Sequence, residues 1–118
     1  VDLELRGVGR VFERPGHRVE ALRDCSLAVA SGEFVCLVGP SGCGKSTVLS
    51  LLAGLDRPTS GAVRAGGGPV TGTGPSRVLI FQDAALFPWM SVGANVEFGM
   101  RCAGVPRARR RARVRELL

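Results

Sequence analysis

Between a mostly apolar run at residues 33–38 and a helical apolar stripe starting at Val48 lies the octapeptide Gly39-Pro40-Ser41-Gly42-Cys43-Gly44-Lys45-Ser46. This is a full match to the spacing G-x-x-x-x-G-K-[ST], and its flanks are those the spacing requires. A strand must run directly into the loop, and the loop directly into a helix. That order places the chain in the α/β class with a P-loop core.

The residue types in the loop imply a chemistry. Glycines let successive backbone N–H groups turn inward and form a concave anion nest. The following helix adds the positive end of its dipole. Lys45 is the only lysine, against fifteen arginines. A compact ammonium suits a point contact with β- and γ-phosphates, where a planar guanidinium does not substitute freely. The Ser46 hydroxyl is placed to ligate Mg²⁺, and Thr47 adds a further hydroxyl. The pattern therefore predicts binding of a nucleoside triphosphate with Mg²⁺.

Composition narrows the alternatives. Apolar residues make up 45% of the 118, which excludes wholesale disorder. No apolar run approaches the roughly 18 residues needed to span a bilayer, and the start of the chain does not read as a signal peptide. The four cysteines form no C-x-x-C pair and a single histidine, His17, is present. A structural zinc site is not expected, and reduced thiols in a cytosolic setting are. The net charge of +6 is local: residues 106–118 hold six Arg and one Glu, leaving +1 for the rest. No aromatic is interleaved with Arg107, Arg109, Arg110, Arg111, Arg113 and Arg115 to stack on bases. The run reads as a solvated helix face, and nucleic-acid binding is not expected.

Along the chain, residues 1–12 and 21–30 alternate as strands. His17 falls in the turn between them. Residues 33–38 and 78–81 read as strands buried on both faces of a sheet. Val48, Leu51, Leu52 and Leu55 fall at i, i+3, i+4 and i+7 and predict an amphipathic helix, ended by Gly54 and Pro58. Residues 62–64 are a candidate short strand, and residues 66–76 a glycine-rich connection. Residues 92–100 are weakly helical, and a last helix begins at Pro106.

Gly39 to Thr47, with Leu51-Leu52-Ala53-Gly54-Leu55-Asp56-Arg57-Pro58-Thr59-Ser60-Gly61, closely resembles the nucleotide-binding subunit of ATP-binding cassette (ABC) transporters. Val78-Leu79-Ile80-Phe81-Gln82-Asp83 looks like that family's Q-loop strand. Leu86-Phe87-Pro88-Trp89-Met90-Ser91-Val92, followed by Asn95-Val96, is similar to the importer branch for nitrate, sulfonate and taurine. The resemblance spans essentially the whole chain. It implies a RecA-like P-loop core with an antiparallel β subdomain, cut at the start of the helical subdomain. Residues 1–32 would belong to the β subdomain, 33–90 to the core through the Q-loop, and 91–118 to the start of the helical subdomain.

The resemblance also implies roles. Gly39, Pro40, Ser41, Gly42, Cys43, Gly44, Lys45, Ser46 and Thr47 would bind ATP. Phe12 matches the aromatic that stacks on adenine, the alternative being a core residue at a strand end. Gln82 matches the glutamine that contacts Mg²⁺ and the attacking water, so Gln82 and Lys45 are the candidate catalytic contacts and Ser46 and Gln82 the metal contacts. Phe87 and Trp89 lie where the family meets the permease, the alternative being local packing. Partners would be a second nucleotide-binding subunit, a transmembrane permease reached through residues 82–89, and indirectly an external solute-binding protein. The implied location is the cytoplasmic face of the bacterial inner membrane.

Competing readings remain. Asp83 after an apolar strand could be a Walker B acid holding Mg²⁺, although the resemblance puts Gln82 in the Q-loop. The family's signature motif, Walker B Asp with catalytic Glu, and switch His do not occur in these residues. The chain is therefore expected to bind nucleotide without turning it over alone. The alternatives are a DNA-maintenance ATPase built on the same cassette, or a nucleotide-binding module without hydrolysis.

Overall fold

The structure is a computed structural model and describes residues 2–83 and 85–118. It divides into two compact units, Val1–Ile80 and Phe81–Leu118. Val1, where the first predicted strand was to begin, and Ala84, within the predicted permease-contact stretch, lie outside the described residues.

The first unit is a four-stranded antiparallel sheet with one helix on it. β1 (Leu3–Arg14) and β2 (His17–Val29) form a long hairpin, β3 is Ser60–Ala65, and β4 is Gly68–Pro69. The sheet order is β2-β1-β3-β4. Both long strands reach past the alternating segments that predicted them, and His17 opens β2, exposed and paired with Arg14. β4 lies inside the stretch expected to be a plain connection.

Strict alternation would put Leu5 and Val8 on opposite faces of β1. Both are buried, at 1% and 0% exposure. The register of β1 against β2 shifts between these two residues. Gly7 sits at the shift with φ 54°, and its N–H donates to Ser26 Oγ. The irregularity rephases the strand so that both side chains enter the core.

Helix α1 (Lys45–Ala53) covers that face. Val48, Leu51 and Leu52 join Leu5, Val8, Leu22 and Val63 in one buried cluster. Leu55, predicted to complete the stripe, lies beyond the helix end and is half exposed. The helix stops because Gly54 adopts φ 78° and turns its N–H to Leu51 O, while Leu55 N donates to Ser50 O. A Cβ on Gly54 would lie 2.1 Å from Gly72 O, so the glycine-rich connection passes directly over the helix end.

The segments 33–38 and 78–81, predicted as buried strands, enter no ladder among the described residues. Phe34, Val38, Val78 and Ile80 are 85–93% exposed. A strand exists only through a partner that takes its backbone hydrogen bonds. Neither segment pairs with the antiparallel sheet, so an apolar sequence alone does not make them strands.

The second unit holds α2 (Val92–Cys102) and α3 (Arg107–Leu117), packed together through a turn at Gly104 with φ 71°. Ser91 caps α2, its Oγ accepting from Ala94 N at 3.2 Å.

Candidate functional site: the phosphate loop and its surroundings

The loop at residues 39–46 is an arch closed by Cys43 N donating to Pro40 O. Gly42 and Gly44 have φ of 81° and 94°, conformations that carry little cost only for glycine. Gly44 stands at the start of α1, whose first helical bond is Val48 N to Gly44 O. The N–H groups of Lys45, Ser46 and Thr47 precede that bond and have no helical partner. No side chain caps them, and no acidic residue stands in the first turn. Most α-helices solve this problem with a Ser, Thr, Asp or Asn cap. Here the first-turn donors are without a side-chain cap, an arrangement suited to binding an anion.

Lys45 adds the charge. Its ammonium donates to Gly39 O and Pro40 O, both at 2.7 Å, and lies 3.5 Å from Cys43 Sγ. The loop carbonyls hold the side chain over the arch, so the one lysine of the chain points into its own glycine loop. Ser46 is exposed and Thr47 half-buried beside it. The donor set fits a polyphosphate: several open N–H groups, one ammonium, a helix N-terminus, and hydroxyls able to reach a magnesium ion. It does not fit a free metal ion, which needs acceptor ligands.

Phe12 belongs to the same unit, near the turn of the β1–β2 hairpin and opposite Val19. It is 39% exposed and is not in the buried cluster, so the core alternative for it fails. The Arg10 guanidinium carbon lies 4.3 Å from its ring centroid. Gln82 and Asp83 belong to the second unit, exposed in a bend.

Phe87 and Trp89 separate in role. The Phe87 ring packs 4.6 Å from Phe98 and 5.4 Å from Trp89, between centroids. Trp89 is 78% exposed and Leu86 is also exposed. Phe87 is thus an internal anchor, and Trp89 and Leu86 face outward. Asn95 braces this loop. Its Oδ1 accepts from Phe87 N at 2.8 Å, and its Nδ2 donates to Phe87 O, Met90 O and Ser91 O.

The arginine run is also divided. Arg110, counted with the solvated face, is instead tucked in: Nε donates to Glu97 Oε1 at 2.8 Å and Nη1 to Val105 O. Arg113 pairs with Glu116. Arg107, Arg111 and Arg115 line an open groove of about 720 Å³ with Arg101 of α2.

Arg10 carries no signal in the linear sequence, and Asp56 and Asn95 stand there only within stretches that resemble the family, with no role of their own. Arg10 and Asp56 are 46 positions apart, and nothing in a linear sequence pairs them.

The model of the family described as ABC transporter matches residues 22–118. The chain belongs to that family. It is 55% identical over 98 residues to the taurine import ATP-binding protein TauB of Burkholderia pseudomallei (strain 1710b), covering 83% of this chain and 38% of the relative. It is 50% identical over 102 residues to the nitrate import ATP-binding protein NrtD of Synechocystis sp., covering 86% of this chain and 38% of that protein. The chain thus spans less than half the length of these relatives. Among solved structures, the ATP-binding cassette MJ0796, in a dimeric post-hydrolysis state bound to ADP and Pi, superposes with a TM-score of 0.81. That match is 28% identical and covers 97% of this chain and 54% of the other. The fold is accordingly that of an ABC cassette, a P-loop NTPase, with its antiparallel sheet and helices in place.

Proposed function

We propose that this chain is the ATP-binding portion of an ABC importer ATPase, which couples ATP binding and hydrolysis to solute uptake. The observation that carries the reading is the glycine loop at the start of α1, where the carbonyls of Gly39 and Pro40 hold the Lys45 ammonium and no side chain caps the helix. ATP would lie with its phosphates on residues 39–47 and its base on Phe12. Mg²⁺ would be held by Ser46 and Gln82 and would offset charge on the phosphates. Gln82 would also orient the attacking water. Similarity to proteins named for taurine and nitrate import supports nitrate-, sulfonate- or taurine-like solutes as cargo.

The remaining assignments follow from that reading. Two cassettes would pair, in line with the dimeric relative. Residues 82–89, with Leu86 and Trp89 outermost, would meet a permease, and an external solute-binding protein would deliver cargo. The subunit would be peripheral on the cytoplasmic side of the bacterial inner membrane. Among the described residues no helix is long and apolar enough to cross a membrane. Residues 1–32 form the β subdomain in this reading, 33–90 the core and 91–118 the start of the helical subdomain. The 118 residues by themselves would bind ATP without sustained turnover, since the strand ending in Asp-Glu that supplies the family's water-activating carboxylate does not occur in them.

Titration with MgATP tests this. Binding to the wild-type chain and its loss in Lys45→Ala, at unchanged thermal midpoint, is the expected result. Equal affinity of the two proteins would remove the loop assignment.

A further inference from the structure

Arg10 makes three contacts from one guanidinium. Nε donates to Asp56 Oδ2 at 2.8 Å, Nη1 donates to Val11 O at 3.2 Å, and Cζ stands 4.3 Å over the Phe12 ring. Arg10 and Asp56 are both largely shielded, with side chains 23% and 24% exposed. Asp56 is itself held from behind: its Oδ1 accepts from Arg57 N, and its backbone N–H donates to Ser50 O of α1. The turn that carries Asp56 is stitched to β1 at two more points, Thr59 N to Gly9 O at 2.8 Å and Val11 N to Thr59 Oγ1 at 3.0 Å.

The consequence is a rigid link. One end is Phe12 on the hairpin. The other is the C-terminal end of α1, the helix whose N-terminus carries Lys45. A partly exposed phenyl ring on a hairpin would otherwise sample several rotamers. A guanidinium stacked on one face restricts it, and the cation enriches its attraction to the ring when shielded from water. The opposite face is then the one presented for stacking.

We infer that Arg10, clamped by Asp56, is a positioning residue for nucleotide recognition: it backs the Phe12 ring and sets that ring at a fixed distance from the phosphate loop. The inference rests on the proposed stacking of the base on Phe12. It assigns Arg10 no contact with the nucleotide. Its effect is confined to the base half of the ligand, because the polar and ring contacts of Arg10 go to Asp56, Val11 and Phe12 and none goes to residues 39–47.

The test is the affinity of the full chain for ATP and for inorganic triphosphate, compared across Phe12→Ala, Arg10→Gln, Arg10→Lys and Asp56→Asn. Phe12→Ala should weaken ATP alone. Arg10→Gln should weaken ATP about three- to tenfold and leave triphosphate unchanged. Arg10→Lys, which keeps a cation, should restore most of the loss. Asp56→Asn, isosteric and neutral, should repeat the Arg10→Gln effect in milder form, and it reads the same link if Arg10→Gln does not fold. If Phe12→Ala leaves the ATP-to-triphosphate ratio unchanged, base stacking on Phe12 is wrong and this inference falls with it. If Phe12→Ala lowers the ratio and neither Arg10→Gln nor Asp56→Asn does, stacking stands and the positioning role is overturned. Equal weakening of both ligands by Arg10→Gln reduces Arg10 to a structural residue and overturns it too.

Discussion

Gly44 and Ala21 are in such close apposition that a Cβ on Gly44 would lie 2.7 Å from the Ala21 carbonyl oxygen. It would also stand 2.8 Å from Leu22 Cδ2. The phosphate loop is therefore seated on β2, and the start of α1 is located by the hairpin as well as by its own sequence. The backbone at Gly44, with φ 94°, disfavours any side chain independently of this crowding.

Gly42 and Gly44 both adopt positive φ, but a Cβ on Gly42 would meet nothing within 4 Å. Gly44→Ala should therefore cost clearly more than Gly42→Ala, which bears backbone strain alone at roughly 1 kcal/mol. Chemical denaturation of both variants measures the difference. Equal destabilisation would mean that the loop is not seated on β2.

Asn95→Ala should loosen the loop at residues 87–91. The change leaves Phe87 N without its acceptor and removes the donor shared by Phe87 O, Met90 O and Ser91 O. Each broken bond to a half-buried amide costs on the order of 1 kcal/mol. Hydrogen exchange should accelerate at Phe87 and stay unchanged in β1. Unaltered protection at Phe87 would show that the brace is dispensable.

The Arg23 guanidinium, hydrogen-bonded to Glu20, holds the Glu20 carboxyl below its usual range. A carboxylate with a lowered folded-state pKa stabilises the fold above its unfolded pKa and loses that contribution as the pH falls through the folded value. The pair is exposed, so the effect is small. Thermal midpoints of wild type and Glu20→Gln should differ at neutral pH and converge on acidification below the ordinary glutamate range, about 4.3. A gap that widens on acidification would contradict the assignment.

Much of the site was legible in the linear order of residues. Gly39 to Ser46 names its own loop, because the conformations and charge it needs are restricted to Gly and Lys. The helix at Val48–Leu52 and its glycine stop follow from periodicity and from the left-handed preference of Gly54. The hairpin follows from alternation and a Pro-Gly turn. Residues 33–38 and 78–81 misled for a physical reason. Apolar continuity measures only the readiness of a segment to be buried, while strand formation needs a neighbouring backbone that the sequence of the segment does not contain.

By itself, then, the sequence determined local matters: where backbone must be left-handed, where a helix starts and stops, and which lysine belongs to the glycine loop. These depend on sterics within a few residues. Only the tertiary structure decided that Gly44 rests on Ala21, that the shift at Gly7 turns Val8 inward, and that Phe87 is an anchor while Trp89 faces out. It also joined Arg10 to Asp56 across 46 positions. Such pairings are set by how β1, α1 and the turn between α1 and β3 pack, and packing brings together residues that no spacing rule relates.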